Sequence, residues 1–154
     1  MSAAAPVVSA RRETSRLIRR RSDLWIAISA LAAALLSLPL AQSSWHGPEV
    51  SSVLAIAAVA MFAGQRWAIA VIVIAELLLV PTVWPRAFLG GADTFTRIAA
   101  LGSLIAIVPG VLAMRRGAAA LVLVTGWQRT GRACRRAHLI LVMLGAIASL
   151  LPML

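Results

Sequence analysis

Glu76 is the one carboxylate in the apolar run WAIAVIVIAELLLVPTVW, nine residues after Trp67 and eight before Trp84. A charge at that depth in an apolar medium costs on the order of several kcal/mol unless it is protonated or paired. Such a group can do three kinds of chemistry: pass a proton, coordinate a cation, or pair with a ligand. No Arg, Lys or His stands at matching depth in the other apolar runs, and the possible hydroxyl partners are Ser37 and Ser103. Two readings stay open. Either Glu76 is protonated and hydrogen-bonded, as glue between helices, or its partner belongs to another subunit or a ligand.

The remaining chemistry-bearing residues form weaker constellations. Cys134 and His138 are four apart and share one face of a helix. A metal site needs three or four ligands, and here Arg132, Arg135 and Arg136 would repel a cation. His46 falls on the opposite side of the membrane in the topology below, so the pair reads as incidental and no metal is expected. There is no HExxH, no glycine-rich phosphate loop and no nucleophile–base–orienter set. Glu49 and Asp93 lie in different loops. With no Lys and no Tyr, Schiff-base chemistry and tyrosine acid–base work are excluded. Neither enzymatic activity nor a cofactor is expected.

Small residues recur at four-residue spacing. Gly102, Ala106 and Gly110 make one row, Gly145 and Ser149 a second, and Ala60 and Gly64 a third. Such rows let helices approach closely, within one chain or between subunits. Clusters of Arg make the other recurrent feature: Arg19, Arg20 and Arg21, then Arg115 and Arg116, then Arg132, Arg135 and Arg136. They read as membrane-topology anchors, with contact to anionic lipid headgroups or an acidic partner as the functional alternative.

These residues need a bilayer to position them. Of 154 residues 61% are hydrophobic and 13% charged, and the mean hydropathy is +0.92. A soluble domain carries about a quarter charged residues, so lipid is the better solvent. All fifteen basic residues are Arg, which fits a GC-rich bacterial genome. The net charge of +10 raises nucleic acid as a partner, but the Arg residues sit at the ends of apolar runs and no soluble domain presents them to a duplex. Nucleic-acid binding is not expected. The single Cys134 leaves the redox compartment unread.

The pattern predicts an all-α, polytopic transmembrane bundle of about five spans. A basic N-terminal segment, residues 1–23, precedes a single helical domain, residues 24–154. Residues 1–10 read as disordered. The spans are Leu24–Ala41, Val50–Gly64, Trp67–Trp84, Ile98–Met114 and Leu139–Leu154, with loops at Gln42–Glu49 and 85–97 and a kink expected at Pro109-Gly110. Ala118–Trp127 has too few residues for a hydrocarbon core of roughly 30 Å. If the stretch 117–128 stays on one side, thirteen Arg lie inside and only Arg86 and Arg97 outside. That is the bias the positive-inside rule asks for. If it crosses, the split weakens to nine against six. A re-entrant or interfacial element is therefore favoured, with six spans as the alternative.

No motif here is specific enough to carry a family resemblance. The expected protein is a multi-pass protein of a bacterial inner membrane, N-terminus cytoplasmic. It would act as a non-catalytic accessory or structural subunit of a larger membrane assembly or of a homo-oligomer. The alternative is a small oligomeric proton- or ion-coupled transporter or channel that uses Glu76 at the bilayer midplane. In the first reading Glu76→Gln preserves assembly and Glu76→Leu weakens it.

Overall fold

The apolar runs fold into helices, because inside a bilayer a helix is the way for a single segment to satisfy its own backbone polar groups. The computed structural model describes residues 5–41, 47–89, 93–126 and 130–150. Among these residues there are six helices and no strand: α1 (Ala5–Ala41), α2 (Gly47–Phe62), α3 (Ala68–Phe88), α4 (Thr94–Leu112), α5 (Met114–Val124) and α6 (Gly131–Leu150). Four are long and apolar enough to cross a membrane: α1 from Arg19 to Leu40, α3, α4 and α6. Helix α2 is apolar but shorter.

Side-chain meetings fix the directions. Ser37 near the end of α1 meets Ser51 near the start of α2 across a buried 2.8 Å hydrogen bond. Helices α1 and α4 are antiparallel, since Leu36 lies against Gly102 while Asp23 pairs with Arg116 just beyond the other end of α4. Helix α4 returns antiparallel along α3, with Gly110 against Glu76. Helix α6 runs parallel to α3: Leu77 lies against Gly145 and, farther along both, Trp84 Nε1 donates to the Ser149 carbonyl at 3.0 Å. The last turn of α4 and the first turn of α6 therefore share one end of the bundle. The eleven residues of α5, about 16 Å at 1.5 Å per residue, connect them without crossing. Gly64, at φ +83°, makes the tight turn from α2 to α3 at this same end, a backbone conformation that suits glycine.

Several boundaries differ from the sequence expectation. Helix α1 starts at Ala5, so the Arg-rich segment continues the first span as helix. Arg, Leu and Glu are good helix formers, and Pro6 sits in the first turn, where its missing N–H costs nothing. Helix α3 runs through Pro81 and Pro85 to Phe88. Helix α4 already starts at Thr94, where the Asp93 carboxylate accepts the Thr96 N–H at 3.3 Å and so caps it. It continues as helix past Pro109 to Leu112. Helix α6 begins at Gly131, eight residues before the expected span, with the Thr130 hydroxyl accepting the Ala133 N–H at 3.2 Å. The loop with His46, the Gly90-Gly91 pair, Trp127 to Arg129 and the last four residues lie outside the described residues.

The interior is rich in alanine, with Leu54, Ile72, Leu79 and Val83 among its fully buried larger members. Small side chains bring backbones close, and dispersion then holds the helices, since lipid removes most of the hydrophobic drive. A second cluster joins Val73 and Leu77 of α3 to Ala118, Val122, Ala137 and Leu141. Arg86 Nη1 donates to the Leu40 carbonyl, one of the last acceptors of α1. A cation there complements the negative end of the helix dipole.

Candidate functional site

Helix α3 carries Glu76 inward. Its neighbours Ile72, Val73, Leu77 and Leu79 are buried while Leu78 is exposed, so α3 turns this face to the protein and a narrower one outward. Glu76 itself has no exposed surface, and both carboxyl oxygens lack a hydrogen-bond partner among the described residues. What stands opposite is Gly110 of α4. A Cβ built there would fall inside the Glu76 carboxyl group. Only a residue without a side chain leaves room for the acid.

Neither hydroxyl expected near Glu76 reaches it. Ser37 is occupied: its hydroxyl pairs with Ser51 and can donate to the Ala34 carbonyl at 2.9 Å. Ser103 is buried, and its hydroxyl has no partner among the described residues. It lies seven residues from Gly110 on α4, about 10 Å along the axis. Glu76 points into its own bundle and is buried by this chain alone.

The small-residue rows are likewise used inside the chain. A Cβ on Gly102 would meet Leu36 Cδ1 at 3.0 Å, and one on Gly145 would meet Leu77 Cδ2 at 2.9 Å. Ala106 packs half-buried on the main core. The Ser149 hydroxyl donates to the Gly145 carbonyl at 2.8 Å, while its own carbonyl receives Trp84. Gly117, which spacing did not single out, lets α5 settle against Val73.

At the end where α1, α2, α3 and α5 converge there is a cleft of about 640 Å³. Arg19, Arg20, Arg115 and Arg116 line it, joined by Arg66 from the α2–α3 turn and by Asp23, neither of which was singled out as a site residue. Arg116 Nη2 pairs with Asp23, and its Nη1 donates to Ser22 Oγ at 3.0 Å. Arg21 is exposed and outside this lining, as are Arg132, Arg135 and Arg136 on α6. A signal for Arg66 was present in the sequence: it follows a turn glycine and precedes an interfacial Trp, which places it level with the other clusters.

The cleft and Glu76 are separated. Ile69 lines the cleft seven residues before Glu76, and Ile72 and Val73 fill the interval. Among the described residues no three His, Cys, Asp or Glu side chains gather as metal ligands. Cys134 is a free thiol, and the buried His138 Nδ1 has no partner among those residues. The arrangement offers one dry carboxyl group able to accept a proton or cation, and one wet basic cleft able to accept an anion. No protein-family model, curated protein or solved structure matches this chain.

Proposed function

We propose that this is a non-catalytic membrane protein whose working group is Glu76, handling a proton or a cation at the contact of α3 and α4 in a small transporter- or channel-type assembly. One observation carries this reading: both Glu76 oxygens are buried without a partner, against a position that must be glycine to admit them. A purely structural acid is held by hydrogen bonds to a neighbouring helix, and this one makes none among the described residues. An unneutralised buried carboxylate costs on the order of several kcal/mol, so a proton or cation must accompany it. The Arg-rich end is assigned to the cytoplasmic side of a bacterial inner membrane by the positive-inside rule.

The test is flux. Wild-type protein in proteoliposomes with a pH gradient should dissipate the gradient, and Glu76→Gln, which keeps shape but cannot ionise, should abolish that activity. Equal flux in both would remove Glu76 from the mechanism.

A second reading, an accessory subunit of a larger assembly or homo-oligomer, is favoured by a different observation. Glu76 is walled by Ile72 and Val73 on one side and by Leu79 and Val83 on the other, all buried. A path past it in one copy would need these to part, and partner helices could supply one instead. The outward face of α4 carries Ile98, Leu101, Ile105, Val108 and Leu112, all exposed, at the 3-4 spacing that suits either lipid or another helix. Mass measurement and co-purification in mild detergent decide. Stoichiometric recovery with other membrane proteins supports the subunit reading, and a bare monomer overturns it.

A further inference from the structure

We propose that the cleft at the Arg-rich end binds an anionic membrane lipid through its phosphates, with Arg19, Arg20, Arg66 and Arg115 as the donors. This goes beyond the function proposed for Glu76 and does not depend on it. Three separate segments, α1, the α2–α3 turn and the start of α5, bring five guanidinium groups to one cavity that holds a single carboxylate, Asp23. Convergent cations repel one another, and an anion between them reverses the sign of that energy. Asp23 is already spent on Arg116, which Ser22 also fixes. The other four guanidinium groups have no ion pair or hydrogen bond among the described residues.

The residue type and the rest of the lining narrow the anion. Arg presents a planar fork that matches phosphate oxygens two at a time. Four such forks are enough for two phosphate groups. The remaining wall is apolar, with Met61, Ile69 and Leu123 among its members, and Leu123 is more than half exposed. A soluble phosphate has no use for that wall. A glycerophospholipid does, since its acyl chains leave the headgroup beside the helices. The cavity volume falls within the range of ordinary ligand sites. The position also fits, because Arg66 adjoins the partly exposed Trp67, a residue type that favours the headgroup level. Basic pockets between transmembrane helices are a common way to hold such headgroups.

The test uses the full chain in phosphatidylcholine nanodiscs titrated with cardiolipin, which has two phosphates, and with phosphatidylglycerol, which has one. Native mass spectrometry reads the lipid retained. We expect one cardiolipin per chain, held more tightly than phosphatidylglycerol. The triple variant Arg19→Gln, Arg20→Gln, Arg115→Gln should lose affinity on the order of a hundredfold. The matched triple Arg132→Gln, Arg135→Gln, Arg136→Gln, outside the cleft, should bind as wild type does. If the cleft triple does not fold, the single variants Arg20→Gln and Arg66→Gln carry the test, at about fivefold each. Equal losses from both triples would reduce the effect to diffuse surface charge and overturn the site. Displacement of cardiolipin by millimolar inorganic phosphate would overturn the lipid as its occupant. Absence of retained cardiolipin would overturn the proposal outright.

Discussion

Two polar contacts at different depths show how differently this bundle treats charge. In the interior, Glu76 meets Gly110 and makes no hydrogen bond among the described residues. At the Arg-rich end, Asp23 meets Arg116 with both side chains about one third exposed. The first contact is dry, unpaired and sterically exact in its demand for glycine. The second is paired, hydrated and tolerant. Removing the acid should therefore have opposite signs at the two places. At the end it breaks a favourable pair, whereas in the interior it removes a group that folding had to desolvate for nothing in return.

The largest expected effect is at Gly110. Gly110→Ala drives a methyl into the carboxyl group, an overpacking cost of about 1–3 kcal/mol. Gly102→Ala is the internal control, because its new methyl meets only the mobile tip of Leu36 and should cost less. Combining Gly110→Ala with Glu76→Ala should restore much of the loss. Thermal unfolding in detergent, arranged as a double-mutant cycle, reads the coupling. Additive effects would show that the two residues do not meet.

Next comes the sign itself. Glu76→Met keeps the length of the side chain and removes both unsatisfied oxygens, so it should stabilise the fold by about 1–3 kcal/mol. The sequence expectation concerned assembly, where an apolar replacement weakens contact; the stability of the single chain is expected to move the other way, because the carboxyl group makes no hydrogen bond to another helix among the described residues. Activity should move the other way, which is the trade expected where a site is kept for function at the expense of stability. A lower melting temperature for Glu76→Met would mean the acid is a structural element after all.

The helical bundle was legible in the sequence because hydropathy and Arg placement report directly on a bilayer. The same evidence showed that the stretch after Arg116 need not cross, and α5 indeed joins two helix ends on one side. Glu76 and Gly110 were each visible, one as a misplaced charge and the other as a member of a small-residue row. Their meeting was not, because nothing in a one-dimensional pattern sets the rotation of α4 about its axis. Helix ends were misjudged wherever Pro or Arg interrupted an apolar run. Pro81 and Pro85 are tolerated within α3, and between them the Thr82 hydroxyl adds a side-chain bond back to the helix. It donates to Leu79 at 2.7 Å. Arg66 and Asp23 escaped notice because their importance comes from convergence of segments distant in sequence.

At the Arg-rich end the expected effect is smaller. Asp23→Asn or Arg116→Gln should cost about 0.5 kcal/mol, since partly exposed ion pairs rarely contribute more. The loss should shrink as salt screens the pair. Melting curves at low and high ionic strength test this. A large, salt-independent loss would mean that the pair behaves like an interior contact, and the contrast with Glu76 would fail.

The smallest effect belongs to Asp93, a fully hydrated acid at the start of α4. Hydrogen bonds from Thr96, its side-chain hydroxyl foremost and its backbone N–H next, hold the carboxyl below the usual aspartate range. A depressed folded-state value means that the native chain binds fewer protons than the unfolded chain between the two values. The contribution is therefore complete at pH above the ordinary aspartate value of about 3.9. It is lost as pH falls through the lower folded value. Asp93→Asn keeps a capping oxygen but removes the charge that favours the positive end of the helix dipole. Wild type should melt slightly above Asp93→Asn at neutral pH, and the gap should close as acid protonates the carboxylate. Asp93→Ala, with no capping oxygen, should remain below both at every pH. A gap between wild type and Asn that persists below the folded value would assign it to something other than the charge.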